Sequence, residues 1–183
     1  MRALIVYESL YGNTHIIANS IAEGLRDKAC DVTVVPVNRA TADMVREADL
    51  LVVGGPTHLH GMSSSSSRRM GVDAARKAGS GLTLEPVALG PGLREWLNGV
   101  GPSHGRAAAA FDTRLDGPAV FTGRASSGIA HRLLRHGYRL VVSPESFLIN
   151  KQSALIASEA NRARAWGGAL AFAAAAVRPA RSA

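Results

Sequence analysis

The chain has 183 residues, of which 46% are hydrophobic and 19% are charged. These values are typical of one globular domain with a buried core, and they exclude a disordered chain. Lysine and arginine outnumber aspartate and glutamate by 21 to 14, for a formal net charge of +7, which favours acidic ligands or partners. The basic excess lies mainly in the second half, at Arg132, Arg135, Arg139, Arg162, Arg164, Arg178 and Arg181. Because no aromatic residues or nucleic-acid motif accompany these arginines, we expect no nucleic-acid binding.

The single cysteine, Cys30, excludes a disulfide within the chain and indicates no metal cluster. The apolar runs at residues 3–6 and 169–177 are too short for the core of a signal peptide or for a membrane span. We therefore expect a soluble, cytoplasmic protein.

Strand and helix signals alternate along the chain. Short apolar or β-branched runs predict strands, and apolar residues at helical spacing predict helices. The predicted strands are residues 3–7, 32–37, 50–53, 107–111 and a fifth region at 138–142 with 147–149; the predicted helices are residues 14–25, 41–48, 94–100, 127–136 and 158–176. This alternation predicts an α/β fold with a five-stranded parallel sheet and helices on both faces. Ligands of such sheets bind at the carboxyl ends of the strands.

Residues 63–92 interrupt the alternation with a serine run followed by scattered glycines and prolines. We interpret residues 1–183 as one domain and residues 63–92 as a flexible insertion within it, with one helical turn at residues 72–77. The insertion could be a lid or partner surface beside a ligand, or a tolerated surface loop.

The loop after the first strand reads SLYGNT, from Ser9 through Leu10, Tyr11, Gly12 and Asn13 to Thr14. The unpaired N–H groups at the start of the following helix can hold a phosphate, and the loop adds hydroxyl and amide donors. The loop lacks the lysine of a nucleoside-triphosphate loop and the G-x-G-x-x-G of a dinucleotide site. An ordinary capped helix start is the alternative to a phosphate site.

The order ALIVYES-LYGNT-HIIANSIAEGL, followed by LLVVGGPTH and AAAAFDTR, resembles the flavodoxins, whose first loop reads T/S-x-T-G-x-T and binds the phosphate of FMN. Ser9, Gly12 and Thr14 match that loop, whereas Tyr11 replaces its usual threonine or serine. The resemblance implies a three-layer flavodoxin-like sandwich of the short-chain type, and FMN as the cofactor.

The same resemblance implies where the flavin lies. Residues 9–14 fall on the phosphate, Pro56, Thr57, His58 and Leu59 on one side of the ring, and Asp112, Thr113 and Arg114 on the other side. Flavodoxins commonly stack a tryptophan and a tyrosine on the ring from these two loops, but neither loop has one here. Residues that could replace them are Tyr11, His58, Leu59, His60, Met62 and Trp96.

The basic charge is a second departure from the acidic electron carriers of this family. Arg114 in the predicted ring loop and Arg124 nearby would stabilise a reduced, anionic flavin and raise its reduction potential. His58 and His60, without acidic or cysteine neighbours, make a poor metal site. The serines at 63–67 lack the G-x-S-x-G motif of hydrolases.

The resemblance favours an FMN-binding electron carrier that serves a redox partner protein. The alternatives are an FMN-dependent NAD(P)H:quinone-type oxidoreductase with a small quinone-like substrate, and a flavodoxin-like interaction module that has lost flavin.

Overall fold

The structure, a computed structural model, describes residues 1–88 and 90–177. Leu89 of the 63–92 segment, and Arg178 and Arg181 of the basic tail, lie outside the described residues. The strands are β1 Arg2–Tyr7, β2 Asp31–Pro36, β3 Leu50–His58, β4 Gly61–Met62, β5 Ala107–Leu115, β6 Arg139–Leu140 and β7 Glu145–Ile149. The α-helices are α1 Asn13–Arg26, α2 Ala42–Glu47, α3 Ser65–Arg76, α4 Leu93–Asn98, α5 Ala119–Thr122, α6 Ala125–Arg135 and α7 Glu159–Val177.

The strands form one sheet in the order β2-β1-β3-β5-β6, with β7 also paired to β5. These pairings are all parallel, and the short β4 alone runs antiparallel, along the end of β3. The predicted α/β fold with a parallel sheet is thus confirmed. The chain moves outward from β1 to β2 and then crosses to β3 on the other side, so the carboxyl ends of β1 and β3 flank the crevice where such sheets bind ligands.

The fifth position of the sheet is shared by two strands. β6 pairs with Ala107 and Ala108, and β7 pairs with residues 111–115 of the same strand β5. Only residues 141–144 separate the two, so the fifth strand has a short break and no long interruption, as the sequence predicts.

The helices cover both faces of the sheet because residues along each buried strand alternate between the faces. In β1, Ala3 and Ile5 belong to the core under α1 and α7, whereas Leu4 and Val6 belong to the core under α2, α4 and α6. The result is the three-layer arrangement predicted from the sequence.

Two glycine-mediated contacts bring α1 and α7 close together on the first face. A Cβ added at Gly24 would lie 1.9 Å from the carbonyl oxygen of Arg164, and one added at Gly167 would lie 2.2 Å from that of Ile21. The two helix backbones therefore pack at a distance that no larger residue permits at either position.

Helix α3 occupies much of the segment in which the sequence predicts only one turn at residues 72–77. Ser64 starts it through a capping box, since its hydroxyl accepts the N–H of Ser67 and the Ser67 hydroxyl accepts the N–H of Ser64. Serine is a weak residue inside helices but a strong one at their first positions. The serine run is therefore a helix start, and the prediction of a single later turn was wrong.

Strands β3 and β5 run past their predicted ends at residues 53 and 111. Gly55 pairs with Asp112 and Pro56 pairs with Thr113, while β7 continues along the other side of β5. The two segments expected to be loops around a flavin ring are consequently the last residues of two strands.

Candidate functional site

A groove of about 260 Å³ lies at the carboxyl ends of β1, β3, β5 and β7. It is lined by Ser9, Leu10, Tyr11, Asn13, Thr14, Pro56, Thr57, His58, Thr113, Leu115, Ile149, Lys151 and Ser153. The structure therefore brings together nine of the thirteen residues that the sequence assigned to cofactor binding. Gly12, Leu59, Asp112 and Arg114 do not line the groove.

The loop at residues 9–14 turns sharply into α1. Gly12 has φ +91° and donates its N–H to the Ser9 hydroxyl at 3.0 Å, and it is the residue before the helix. Among the residues that the structure describes, no side chain caps the start of α1, so the first N–H groups of this helix are available to an anion. The Thr14 hydroxyl, 2.8 Å from that of Thr113, joins the loop to β5. This arrangement suits a phosphate.

The 63–92 segment holds the same loop from outside. The Tyr11 hydroxyl donates to the Gly71 carbonyl at 2.7 Å, and the N–H of Glu85 donates to the Leu10 carbonyl at 2.9 Å. Leu10 also packs in a small apolar cluster with Val72 and Ala88. The 63–92 segment therefore packs against the loop and supports it from the side away from the groove.

A carboxylate lies next to the turn. A Cβ added at Gly12 would lie 3.5 Å from Oε1 of Glu85. The same oxygen is 3.0 Å from Nδ1 of His15, whose ring stacks on that of Tyr7 with centroids 4.6 Å apart. A side chain placed at Gly12 would therefore extend toward this carboxylate.

The end of β3 contributes His58 to the groove. Its Nδ1 is 3.3 Å from the hydroxyl of Ser67 in α3. Burial lowers the pKa of His58; the nearby Glu8 opposes this shift and Arg68 reinforces it. His58 is therefore neutral near pH 7. The next residue, Leu59, has φ +46° and is 74% exposed, so its side chain lies outside the groove.

His58 should make stability depend on pH. Its pKa is about 6.5 in the unfolded chain and lower in the folded protein. Lowering the pH through the unfolded value therefore protonates the unfolded state first, and the free energy of unfolding falls. We expect the loss between about pH 7 and pH 5 to be smaller in His58→Asn than in the wild type, as measured by urea unfolding. An equal loss in both would contradict this.

Asp112 and Arg114, which the sequence assigned to the flavin ring, make hydrogen bonds within the protein and do not line the groove. Asp112 is fully buried and accepts the N–H of Ser126 at 2.7 Å, which ties β5 to the start of α6. Burial raises its pKa, and the hydrogen bonds from Ser126 oppose this. Arg114 donates from Nη1 to the carbonyls of Leu115 and Gly117 at 3.1 and 2.8 Å. Its side chain holds the turn after β5. Thr113 alone of the three lines the groove.

The remaining aromatic and apolar candidates lie elsewhere. Trp96 donates from Nε1 to the Ala40 carbonyl at 3.3 Å and lines a different cavity, beside α2 and α4. Met62 is buried, and its sulfur is 3.3 Å from Nη1 of Arg132. His60 is exposed and pairs with Gly123. Tyr11 and His58 are the aromatic side chains that the described part of the groove contains.

The loop after β7 supplies groove residues that sequence reasoning missed. Lys151 adds a cation, and the Ser153 carbonyl accepts Nδ2 of Asn13 at 2.7 Å. The Asn150 side chain shapes this loop by accepting the N–H groups of Gln152 and Ala154. The rule that placed the other loops at one edge of the sheet applies equally to the last strand and would have found Lys151.

In the part of the chain that the structure describes, no helix is long and apolar enough to span a membrane. Over the same residues, no three histidine, cysteine, aspartate or glutamate side chains are grouped so that they could hold a metal ion.

The parallel sheet, the two helical layers and a groove that begins at a glycine turn define a flavodoxin-like α/β protein. The flavodoxin family model matches residues 5–87. Solved structures share the fold over almost the whole chain. A flavodoxin from the domain Archaea has a TM-score of 0.65 at 20% identity, covering 96% of this chain and 99% of its own. Oxidised Flavodoxin 1 from Bacillus cereus has a TM-score of 0.63 at 14% sequence identity, and the match covers 98% of this chain and 100% of its own.

A flavodoxin, WrbA-like protein from Agrobacterium tumefaciens is also similar, with a TM-score of 0.60 at 19% identity, covering 97% of this chain and 99% of its own. No curated protein matches the chain significantly. At these identities the structural likeness concerns the fold. The match of residues 5–87 to the flavodoxin family model agrees with this flavodoxin-like fold.

Proposed function

We propose that the protein binds one FMN in the groove and carries electrons to or from a redox partner protein. The observation on which this rests is the SLYGNT turn, because a glycine at φ +91° opens onto an uncapped helix start beside the groove. The flavodoxin family, whose model matches residues 5–87, consists of FMN-type electron-transfer proteins. The bound flavin would supply the redox chemistry, and the protein would supply binding, orientation and electrostatics.

The residues present suit the two ends of FMN. Ser9, Asn13 and Thr14 would hold the phosphate together with the N–H groups of α1. Pro56, Thr57 and His58 would lie along the ring, with Thr113 and Leu115 on the β5 side. Tyr11 is the aromatic side chain of the groove available for ring stacking, which contributes roughly 0.5–1.5 kcal/mol per pair beyond area burial.

The proposal is tested by the visible absorbance of the purified protein, recorded after FMN is added and the excess is removed by gel filtration. Retention of about one flavin per chain would support it. A folded protein that retains none would contradict it and leave the interaction module as the better interpretation.

His58 also keeps the oxidoreductase alternative open, because a neutral imidazole in the groove suits a site where a substrate is protonated or deprotonated. Oxidation of NAD(P)H by the FMN-loaded protein, measured with and without a soluble quinone, separates the two functions. Sustained turnover would identify an enzyme, and its absence a carrier.

Lys151 should strengthen phosphate binding. We expect Lys151→Ala to weaken FMN binding about two- to fivefold, because an exposed charge contributes roughly 0.2–1 kcal/mol. The difference from the wild type should shrink in about 0.5 M salt, which screens exposed charges. Quenching of FMN fluorescence measures both. Lys77→Ala, which removes an exposed lysine at the end of α3, is the control; an equal effect there would show that only net charge matters.

A further inference from the structure

The hydrogen bonds around Ser67 favour one of the two neutral tautomers of His58. The Ser67 hydroxyl has three partners: it accepts the N–H of Ser64 at 2.9 Å, donates to the Ser64 carbonyl at 3.2 Å, and lies 3.3 Å from Nδ1 of His58. A hydroxyl has one proton to donate and two lone pairs that accept. The one hydroxyl proton can lie on the Ser64 carbonyl or on Nδ1 of His58; when it lies on the carbonyl, which is the shorter contact, Nδ1 of His58 is the donor to the hydroxyl.

The second ring nitrogen of His58 is then an acceptor. A neutral imidazole with a proton on Nδ1 has a lone pair on Nε2. Within residues 1–88 and 90–177, no protein group makes a hydrogen bond with Nε2, while the ring lines the groove. Nε2 is thus left to serve a ligand.

The neighbouring charged groups are tied into their own contacts. Glu8, at the end of β1, accepts the N–H of Leu93 at 2.8 Å and the hydroxyl of Ser63. Arg68, in α3, donates to the Ser63 hydroxyl at 3.1 Å. Both side chains are buried, and neither is bonded to the His58 ring, which leaves Ser67 as the group that orients it.

We propose that Ser67 fixes His58 as the Nδ1–H tautomer, so that Nε2 accepts a hydrogen bond from an N–H at the edge of a heteroaromatic ring bound in the groove. This rests on the proposed function, under which the ring is the isoalloxazine of FMN. Ser67 is a positioning residue, and His58 is a ligand-binding one. The inserted helix α3 thereby acquires a role in the site, although no residue of α3 lines the groove.

The tautomer is tested on the ligand-free full chain by imidazole ¹⁵N NMR at about pH 8, where an unperturbed imidazole is neutral. The expected result is a protonated Nδ1 and an unprotonated Nε2 for His58. Ser67→Ala should show a mixture of the two neutral tautomers of His58. Ser66→Ala should keep the wild-type tautomer, because among the described residues the Ser66 hydroxyl contacts only the hydroxyl of Ser64. A protonated Nε2 in the wild type would overturn the proposal.

The ligand contact is tested by FMN affinity. We expect His58→Leu to weaken FMN binding by about two- to tenfold, since the bound ring loses one hydrogen bond. His58→Gln places a carbonyl oxygen or amide near the position of Nε2 and should recover most of the affinity. Wild-type affinity in His58→Leu would overturn the acceptor role while leaving FMN binding intact. Failure of the wild type to bind FMN would overturn the proposed function and this contact together, and the NMR result would still decide the tautomer.

Discussion

Replacing Gly12 by aspartate is expected to abolish FMN retention in a protein that still folds. The position has φ +91°, where a residue with a side chain costs roughly 1–3 kcal/mol. The new carboxylate would also lie close to Oε1 of Glu85, which is 3.5 Å from the position of the added Cβ. The negative charge of the aspartate would occupy the helix end proposed for the phosphate. It would block the space for the phosphate and repel its charge. Gel filtration followed by absorbance measures the result.

The matched control is Gly79→Asp. Gly79 has a similar φ of +74°, but no atom lies within 4 Å of an added Cβ. Gly79→Asp therefore has a similar backbone cost and the same change in charge, but at a residue that does not line the groove. We expect this variant to retain FMN at the wild-type stoichiometry. If Gly12→Asp retained FMN as well, the phosphate would have to bind elsewhere.

A large loss of stability is expected from Gly167→Ala. The added methyl group would lie 2.2 Å from the Ile21 carbonyl, inside the contact between α1 and α7. Because both partners are helix backbone, neither can move aside without separating the helices. Overpacking of a core contact costs typically 1–3 kcal/mol and sometimes more, so we expect a loss of about 3 kcal/mol. The midpoint of urea unfolding measures it.

The neighbouring residue provides the control for that experiment. A Cβ at Gly168 would meet its nearest atom, Cε of Lys28, at 3.7 Å, which is an ordinary contact. Gly168→Ala should stabilise the protein by about 0.5–1 kcal/mol, because alanine is the better helix residue. Opposite signs at two adjacent glycines would identify steric contact as the cause. Destabilisation at both positions would point instead to a general intolerance of α7.

The buried strands and the layered arrangement could be predicted from local pattern. The apolar run of β1 and the helical spacing of Ile17, Ile21 and Leu25 each reflect burial against the sheet, and each is visible in a few residues. The SLYGNT turn could be found for the same reason, since its glycine and its position after a strand are local features.

The parts of the site that depend on tertiary pairing could not be predicted in this way. The end of β5 looks like a loop in sequence, and it continues as a strand because β3 and β7 pair with it on either side. Arg114 does not line the groove, and its guanidinium donates to carbonyls of the following turn. The length of α3 follows from the Ser64 cap and from contacts with Leu10, far away in the chain.

The attachment of α3 to the SLYGNT loop has a thermodynamic consequence. The apolar cluster of Leu10, Val72 and Ala88, together with the bond from Tyr11 to Gly71, makes the loop and the inserted helix opposite sides of one small core. Neither side can open without exposing that cluster, so the two form one cooperative unit of local unfolding. Any free energy gained by a ligand on the loop also raises the stability of the helix, by mass action on the shared folded state.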